Sequence, residues 1–368
     1  MKAYLFPGQG SQARGMGASL FDEFPELTAQ ADRVLGYSIK ELCLSDPRRE
    51  LNKTQFTQPA LYVVNALSYY KRVQLAGEQP DFVAGHSLGE FNALLAAECF
   101  DFETGLKLVK QRGELMSQAT EGAMAAILNA TRSQVEALLK SNRLNRVDIA
   151  NYNTPLQIVI SGPLDEITAC ESIFQFDKVM FVPLNTSGAF HSRLMLPAQG
   201  EFQRFLAGHR FAEPKIPVIA NWTAKPYPGG AAVAEYLSNQ ICSTVLWSDT
   251  IQSLISLEPD IELIEVGHGD VLTKMIPKIK EQLAKVARNA PTPAVASAAQ
   301  QENPFALAEQ KVAAWNQRHP VGTKVRSRVL DYGDLVTRTP AIVLFGHRAA
   351  VYMERYNGYF DLDEILAA

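Results

Sequence analysis

The chain has 368 residues, of which 47% are hydrophobic and 20% are charged, and its formal net charge is −4 at pH 7. This composition is typical of a globular protein with about two domains. The acidic balance argues against nucleic acid as a partner, and the lack of an apolar run of about 18 residues argues against a membrane span.

The first predicted strand runs from Lys2 to Phe6 and leads into a glycine-rich loop, Pro7 to Gln12. Such a loop can be a tight turn or a phosphate cradle. It lacks the Gly-Lys-Ser/Thr ending of a P-loop, and its glycine spacing does not fit a dinucleotide fold, so nucleotide binding is not expected. The strand begins without a signal-peptide layout, and we therefore expect a cytoplasmic protein.

Helix patterns then alternate with short apolar strands as far as about residue 120. One of these helices is predicted to begin at Thr57, with Pro59 near its first turn. Alternation of strands and helices predicts an α/β fold with a mainly parallel sheet that is covered on both faces.

Residues 85–89 read Gly-His-Ser-Leu-Gly and lie between a predicted strand, Phe82 to Ala84, and a predicted helix, Glu90 to Cys99. This is the layout of a nucleophile elbow, in which a sharp turn presents a serine at the N-terminal end of a helix. The flanking glycines fit a turn that leaves no room for a Cβ atom. Ser87 is therefore a candidate nucleophile, and the alternative is an ordinary glycine-rich turn with a solvated serine.

The pattern changes over residues 123–185. Strands are predicted at 124–128, 147–151, 157–161 and 178–184, and helices at 133–140 and 165–174. This β-α-β-β-α-β order is that of a ferredoxin-like unit. We therefore expect a small subdomain at 123–185, inserted into a large α/β-hydrolase-like domain formed by 1–122 and 186–287, with a ligand-binding cleft between them.

The chain is expected to return to the large domain near Phe190, with strands at 218–220 and 261–266. Residues 288–303 are rich in Ala, Pro, Gln and Ser, which is typical of a linker. A helix is predicted at 304–317, and short β-like segments follow it as far as Phe360. Residues 304–368 are thus predicted to form a small C-terminal extension, mainly β after its helix, whose role the sequence does not indicate.

A serine hydroxyl needs a base within hydrogen-bond reach to become a good nucleophile. The chain has six candidate histidines: His86, His191, His209, His268, His319 and His347. His86 is adjacent to Ser87 in sequence, but its side chain should diverge from the serine at a tight turn. His191 lies in the loop where the subdomain rejoins the large domain and is the better candidate, with a surface or helix-capping role as the alternative.

The cysteines and histidines do not have the spacing of metal ligands. The four cysteines are far apart and form no Cys-x-x-Cys pair, so we expect buried thiols in a reducing compartment. Neither a metal nor another cofactor is expected.

Several motifs together resemble those of the malonyl-CoA:acyl-carrier-protein transacylase family, close to the freestanding, trans-acting acyltransferases of polyketide synthases. They occur in family order over residues 1 to about 285: Phe6 to Gln12, Thr57 to Leu61, Gly85 to Glu90, Gln111 to Gly113, Gly188 to Ser192 and Glu265 to Gly267. The resemblance implies transfer of a malonyl group from malonyl-CoA to the phosphopantetheine thiol of an acyl carrier protein, through an acyl-serine intermediate. It implies no cofactor, and we expect a monomer.

The resemblance also implies roles for individual residues. Ser87 corresponds to the acylated serine and His191 to the general base and acid. The backbone N–H groups of Gln9 and Leu88 correspond to the oxyanion hole, and Arg112 to the arginine that holds the malonyl carboxylate. This last role is chemically sound because a guanidinium can bind a carboxylate through two parallel hydrogen bonds.

Phe190 and His86 complete the predicted substrate site. Phe190 resembles the malonyl-selective version of its loop, in which a bulky ring would crowd a methyl branch at C2 of the acyl group. The sequence departs from the family at residues 243–247, where Leu246 stands at the position whose carbonyl would orient His191, and at His268, which could line the entrance or lie on a surface turn.

Two alternatives to the transferase stay open at this point. A related hydrolase that removes acyl groups from carrier proteins would share the serine, the histidine and the oxyanion hole, but would gain little from Arg112. A non-catalytic module that docks carrier proteins would keep the elbow only as a scaffold.

Overall fold

The computed structural model of the chain describes residues 1–119, 122–289, 304–327, 335–344, 348–354 and 359–367. The chain divides into two compact units, residues 1–290 and residues 291–368. The strands of the first unit are β1 (Lys2–Phe6), β2 (Phe82–Gly85), β3 (Ala123–Leu128), β4 (Asp148–Thr154), β5 (Gln157–Gly162), β6 (Met180–Pro183), β7 (Val218–Ile219) and β8 (Glu262–Glu265).

The helices of the first unit account for much of its remaining length. They are α1 (Leu20–Glu23), α2 (Pro25–Leu35), α3 (Ile39–Leu44), α4 (Thr54–Ala76), α5 (Gly89–Ala96), α6 (Phe102–Gln118), α7 (Arg132–Ser141), α8 (Leu164–Ile173), α9 (Leu196–Leu206), α10 (Val233–Gln240), α11 (Trp247–Leu257) and α12 (Val271–Asn289). None of the helices in the described ranges is both long and apolar enough to cross a membrane.

A parallel sheet lies at the centre of the first unit, with the strand order β7-β2-β1-β8. Along β1, the side chains of Tyr4 and Phe6 enter one hydrophobic core, and those of Ala3 and Leu5 enter a second core on the opposite face. A strand that is buried on both faces has to be apolar along its whole length, and β1 meets this requirement. The predicted α/β fold with a parallel sheet covered on both faces is thus confirmed.

A second sheet is formed by β3, β4, β5 and β6, in the order β4-β5-β3-β6 and with antiparallel pairing throughout. The helices α7 and α8 pack their apolar residues, including Val135 and Ile167, into a separate hydrophobic core beneath it. Two backbone hydrogen bonds of 2.9 Å, from Tyr152 N to Val245 O and from Val245 N to Ala150 O, tie β4 to the segment before α11. The second sheet is thereby attached beside the central one.

The helix predicted to begin at Thr57 begins three residues earlier, and the prediction of its start is wrong. It is α4, which begins at Thr54, so that Pro59 is inside the helix instead of near its N-terminus. Pro59 has no N–H to donate to the carbonyl one turn before it, which normally weakens a helix interior. The first turn is closed by Thr57 N, which donates to Lys53 O at 2.8 Å, and the Thr57 hydroxyl adds contacts to Leu51 O at 2.6 Å and to Lys53 O at 3.0 Å.

The described residues of the second unit form a helix followed by short strands. Its elements are α13 (Pro304–Arg318), β9 (Lys324–Ser327), β10 (Leu335–Val336), β11 (Ile342–Leu344), β12 (Arg348–Tyr352), β13 (Tyr359–Asp361) and β14 (Ile365–Ala367). They form two antiparallel sheets, β10-β9-β14 and β11-β12-β13. From residue 290 onward the predicted linker lies outside the described residues, as does His347.

Candidate active site

Ser87, the serine of the elbow, lies on a tight turn between β2 and α5. Its backbone φ is +50°, a value that residues other than glycine rarely adopt. A Cβ atom on Gly85 would lie 1.9 Å from the carbonyl carbon of Gly89, and one on Gly89 would lie 2.1 Å from Phe6 O. Asn221 braces the turn, because its Oδ1 accepts from Ser87 N at 2.7 Å and its Nδ2 donates to Gly85 O at 2.6 Å. Neither Gly85 nor Gly89 can therefore carry a Cβ atom without displacing backbone atoms.

The structure brings His191 to Ser87, with 2.8 Å between the serine Oγ and the histidine Nε2. On the other side of the ring, His191 Nδ1 lies 2.9 Å from the carbonyl oxygen of Gln240. A carbonyl oxygen only accepts, so Nδ1 carries the proton and Nε2 is free to accept the serine proton. The ring is 4% exposed. Burial, together with the charge of Arg112, lowers the pKa of His191 to about 3, against an opposing effect of the Gln240 carbonyl.

The expectation that Leu246 could orient His191 through its carbonyl is wrong. The Leu246 carbonyl accepts a hydrogen bond of 2.9 Å from Thr250 N and so closes the first turn of α11. Gln240, at the end of α10, provides the carbonyl instead. Its position suits this role because the last carbonyls of a helix have no partner within the helix.

A buried cation lies beside this pair. Arg112, on α6, is 1% exposed. Its Nη2 donates to Ser87 Oγ at 3.2 Å and to Gln240 Oε1 at 3.0 Å, and its Nη1 donates to Gln58 Oε1 at 2.6 Å. Burial lowers the pKa of Arg112 to about 10, and the carboxylate of Glu90 opposes this shift. The guanidinium is therefore charged at neutral pH and next to the candidate nucleophile.

The two predicted oxyanion-hole residues, Gln9 and Leu88, lie in the loop after β1 and in the elbow, respectively. Leu88 immediately precedes α5, and Gln9 lies in the loop after β1, where its Oε1 accepts from Thr54 Oγ1 at 3.2 Å. This loop packs against the elbow so closely that a Cβ atom on Gly8 would lie 2.3 Å from His86 O. In the described part of the chain, neither the Gln9 N–H nor the Leu88 N–H is hydrogen-bonded to a protein acceptor.

His86 and Phe190 are the sequence neighbours of Ser87 and His191, but their side chains contact other residues. His86 Nε2 lies 2.8 Å from Asn153 Oδ1, and the ring packs against Trp247 with 5.5 Å between centroids. Burial lowers the pKa of His86. Phe190 belongs to the main hydrophobic core of the first unit and is 5% exposed.

His209 and His319 have other surroundings. His209 Nδ1 lies 3.0 Å from Phe205 O, within reach of the end of α9. His319 packs against Trp315 in the second unit. His191 is accordingly the candidate base that the described structure bonds to Ser87.

A cavity of about 580 Å³ opens beside His191 and is the candidate substrate entrance. Its walls carry both charges and apolar groups: Arg132, Asp148, Ile149, Arg193, Leu196, Trp222, Cys242, Ser243, Thr244 and Leu246. A larger cavity, of about 820 Å³, lies elsewhere in the first unit and is lined by none of the predicted site residues. Within the described ranges, no group of three or more His, Cys, Asp or Glu side chains could hold a metal ion.

Sequence reasoning missed three residues that shape this site: Gln240, Asn221 and Glu90. Glu90 could have been recognised from the sequence, since it is a carboxylate in an apolar helix, α5, directly after the elbow. In the structure it is completely buried. Asn221 follows β7 at the carboxyl end of the sheet, where ligand-binding residues of open α/β folds commonly lie. Nothing in the sequence singled out Gln240.

Chemically, the arrangement suits acyl transfer. A serine hydroxyl faces a neutral imidazole, which is what removal of its proton during attack on an acyl group requires. Two unbonded N–H groups can stabilise an oxyanion. The Arg112 guanidinium, whose Nη2 is 3.2 Å from Ser87 Oγ, could bind an acyl group that itself carries a negative charge.

Comparison with known proteins agrees with this chemistry. A family model described as the acyl transferase domain matches residues 3–324. The polyketide biosynthesis malonyl CoA-acyl carrier protein transacylase PksC of Bacillus subtilis is 55% identical over 290 residues, which cover 78% of this chain and 100% of PksC. The crystal structure of malonyl CoA-acyl carrier protein transacylase from Burkholderia pseudomallei is 58% identical with a TM-score of 0.75, covering 80% of this chain and 99% of that chain. A complex of a type II PKS acyl-carrier protein with its malonyl-transacylase matches at 34% identity and a TM-score of 0.71, over 76% of this chain and 93% of that chain.

Proposed function

This chain belongs to the acyl transferase domain family, and from that premise we propose that Ser87 is its nucleophile and His191 its general base and acid. The chain is an acyltransferase of the malonyl-CoA:acyl-carrier-protein transacylase type, which serves polyketide or fatty acid biosynthesis. It transfers a malonyl group from malonyl-CoA to the thiol of an acyl carrier protein. Our proposal concerns the residues that perform this reaction and the order of its steps.

In the first half-reaction, His191 Nε2 accepts the proton of Ser87 Oγ while that oxygen attacks the thioester carbonyl of malonyl-CoA. The resulting oxyanion accepts hydrogen bonds from the N–H groups of Gln9 and Leu88. When the tetrahedral intermediate collapses, the C–S bond breaks and His191 returns the proton to the CoA sulfur. Removing one oxyanion donor typically lowers the rate about 10²–10³-fold.

The second half-reaction mirrors the first. The thiol of the phosphopantetheine arm takes the place of CoA, gives its proton to His191 and attacks the malonyl-serine ester. The C–O bond to Ser87 breaks, and the serine oxygen recovers the proton from the imidazolium. The enzyme thus alternates between a free and an acylated form, which is ping-pong kinetics.

One observation carries the preference for a malonyl group, namely the 3.2 Å between Arg112 Nη2 and Ser87 Oγ. A carboxylate two carbons from the attacked carbonyl can reach a guanidinium placed so close to the nucleophile. Binding of the malonyl carboxylate would also make His191 a stronger base. The carboxylate would offset the charge of Arg112, which contributes to the low pKa of His191. A hydrolase acting on uncharged acyl groups would gain neither effect.

We also propose the finer architecture. Residues 123–185 are interpreted as a ferredoxin-like subdomain, which the element order and the antiparallel pairing of β3 to β6 support. It is inserted into the α/β-hydrolase-like domain formed by residues 1–122 and 186–287. Rejection of a methyl branch by Phe190, contact of His86 with substrate, a cytoplasmic location and a monomeric state stay predictions.

The test is intact-mass analysis after brief exposure of the protein to malonyl-CoA or to acetyl-CoA, each followed by addition of a holo-acyl carrier protein. We expect a malonyl adduct that the carrier protein removes as malonyl-carrier, and no adduct on Ser87→Ala. Ser68→Ala is the matched control, because this serine only donates to Val64 O within α4. A malonyl adduct on Ser87→Ala would refute the nucleophile, and an acetyl adduct without a malonyl adduct would favour the hydrolase.

A further inference from the structure

Glu90 is a buried carboxylate directly behind the nucleophile, and the reaction steps above do not use it. It lies in the first turn of α5 and is completely buried. Its Oε1 accepts from the Tyr227 hydroxyl at 2.5 Å, and its Oε2 accepts from Gln240 Nε2 at 2.6 Å and from Asn221 N at 3.3 Å. A carboxylate so deeply buried is costly unless it is hydrogen-bonded, as it is here, and its presence calls for a reason.

The side-chain amide of Gln240 links this carboxylate to the rest of the site. Its Nε2 donates to Glu90 Oε2 and, at 2.8 Å, to Ser87 O. Its Oε1, at the opposite end of the same amide, accepts from Arg112 Nη2 at 3.0 Å. The two ends of an amide have almost the same shape, so only their partners decide which way it points.

Three partners fix this choice: Glu90 and Ser87 O face the NH₂ end, Arg112 faces the oxygen end, and Glu90 is the charged acceptor among them. An ionised carboxylate has no proton to donate, so it can face only the NH₂ end of the amide. The oxygen end must then face Arg112. In the flipped orientation the amide NH₂ would face the guanidinium, and Gln240 Oε1 would face the carboxylate, which leaves donors against donors and acceptors against acceptors.

We propose that Glu90 is a positioning residue for malonyl selectivity: its carboxylate orients the Gln240 amide, and through it holds the Arg112 guanidinium beside Ser87. This inference rests on the proposed role of Arg112 in binding the malonyl carboxylate. It assigns Glu90 an effect on acyl groups with an acidic tail and little effect on neutral ones.

Because Glu90 can be protonated, its hold on the Gln240 amide and on Arg112 should depend on pH. Burial raises the pKa of Glu90 to about 7, against the opposing hydrogen bonds from Tyr227, Gln240 and Asn221 and the charge of Arg112. Tyr227 stays a donor, because burial and the charge of Glu90 raise its pKa well above the usual value. His191, on the far side of Gln240, is neutral over this range, since its pKa is about 3. Below pH 7 the protonated Glu90 is a weaker acceptor for Gln240 Nε2, so the Gln240 amide and, through it, Arg112 are held less firmly.

The experiment measures kcat/KM for acylation of Ser87 by malonyl-CoA and by acetyl-CoA, in wild type and in Glu90→Gln. A glutamine can hold Gln240 Nε2 only by a neutral hydrogen bond, so we expect the malonyl-to-acetyl ratio to fall about 10–100-fold, as for loss of a charge-assisted hydrogen bond, with the acetyl value changing less than about threefold. Glu98→Gln is the matched control and should leave the ratio unchanged, because Glu98 is an exposed residue that pairs with Lys215.

A measurement on the wild type alone covers the case in which Glu90→Gln does not fold. The malonyl-to-acetyl ratio should decline as the pH is lowered from 8 to 6, and a folded Glu90→Gln should show no such decline. A ratio that is constant from pH 8 to 6 in the wild type, or an equal loss of both activities in a folded Glu90→Gln, would overturn the inference.

Arg112→Ala separates this inference from the proposed function. If Arg112→Ala lowers the ratio and Glu90→Gln adds nothing in that background, both stand. If Arg112→Ala lowers the ratio but Glu90→Gln alone does not, the inference fails and the proposed function stands. If Arg112→Ala leaves the ratio unchanged, the malonyl-binding role of Arg112 fails and the inference fails with it.

Discussion

In the proposed site, Ser87, His191 and Arg112 are already bonded to one another in a way that suits a negatively charged acyl group. Because the pKa of His191 is about 3 and that of Arg112 is about 10, the free site at neutral pH holds an uncharged base and one cation. The same burial that keeps the imidazole neutral also leaves the guanidinium without solvent. A carboxylate from the substrate would relieve this unfavourable state, and a neutral acyl group would not.

At this scale we predict how the reactivity of Ser87 depends on pH. As the proposed base, His191 must be neutral to accept the serine proton, and its lowered pKa keeps it neutral down to about pH 3. Inactivation by phenylmethylsulfonyl fluoride, a neutral serine reagent that makes no use of Arg112, should therefore proceed at a constant rate from pH 8 to pH 5, after correction for reagent hydrolysis. The rate is read from the mass adduct, with Ser87→Ala as the control, and an inflection near the ordinary histidine pKa of about 6.5 would contradict it.

Among the elements, the turn between β2 and α5 depends on how closely it approaches β1. Gly89 begins α5 against the carbonyl of Phe6, and Gly85 ends β2 against Gly89 itself. These neighbours are backbone atoms of the central sheet and the elbow, so they cannot move aside as a flexible side chain would. The geometry of Ser87 is thus part of the packing of the sheet.

We therefore predict opposite effects for two glycine-to-alanine substitutions. Gly89→Ala would place its Cβ atom 2.1 Å from Phe6 O, and should lower the free energy of unfolding by about 3 kcal/mol and reduce malonyl acylation. Gly200→Ala, inside α9 and with no heavy atom within 4 Å of the new Cβ, should raise it by about 0.5–1 kcal/mol and leave acylation intact. Thermal unfolding measures both, and a Gly89→Ala protein as stable as wild type would show that the turn can relax.

On the scale of the whole molecule, the candidate site belongs to the first of the two compact units. All residues assigned a role here lie between Gln9 and Gln240, within residues 1–290. The second unit has a hydrophobic core of its own, built from residues such as Val325, Leu335 and Val351. The role of this unit is therefore separable by experiment.

Removal of residues 291–368 should leave the malonyl acylation of Ser87 within about threefold of wild type, because none of the site residues is lost. The family match extends to residue 324, so a second truncation after that residue is the appropriate comparison. Intact mass reports acylation, and thermal unfolding reports whether the truncated proteins fold. Loss of acylation in a truncated protein that still folds would assign residues beyond 290 a part in forming the site.

The sequence was most informative where the determining contacts are local. The apolar runs of β1 and β2, the order of elements from β3 to β6, and the glycines of the elbow are imposed by neighbours in the chain, and they could be recognised from short stretches. The start of α4 differs from the prediction because Pro59 is usually a signal for a first turn, whereas the bonds that hold this first turn, from Thr57 N and Oγ1, go to residues before the predicted start.

By itself, then, the sequence determined the α/β fold, the elbow with Ser87 and the family motifs that point to His191 and Arg112. Only the tertiary structure decided which groups surround them: the Gln240 carbonyl behind His191 in place of Leu246, the Asn221 brace and the buried Glu90. Ser87 bonds to residues 104 and 153 positions away in the chain, His191 and Gln240. Contacts over such separations depend on how the elements pack. The residues involved follow no periodicity or spacing from which these contacts could be predicted.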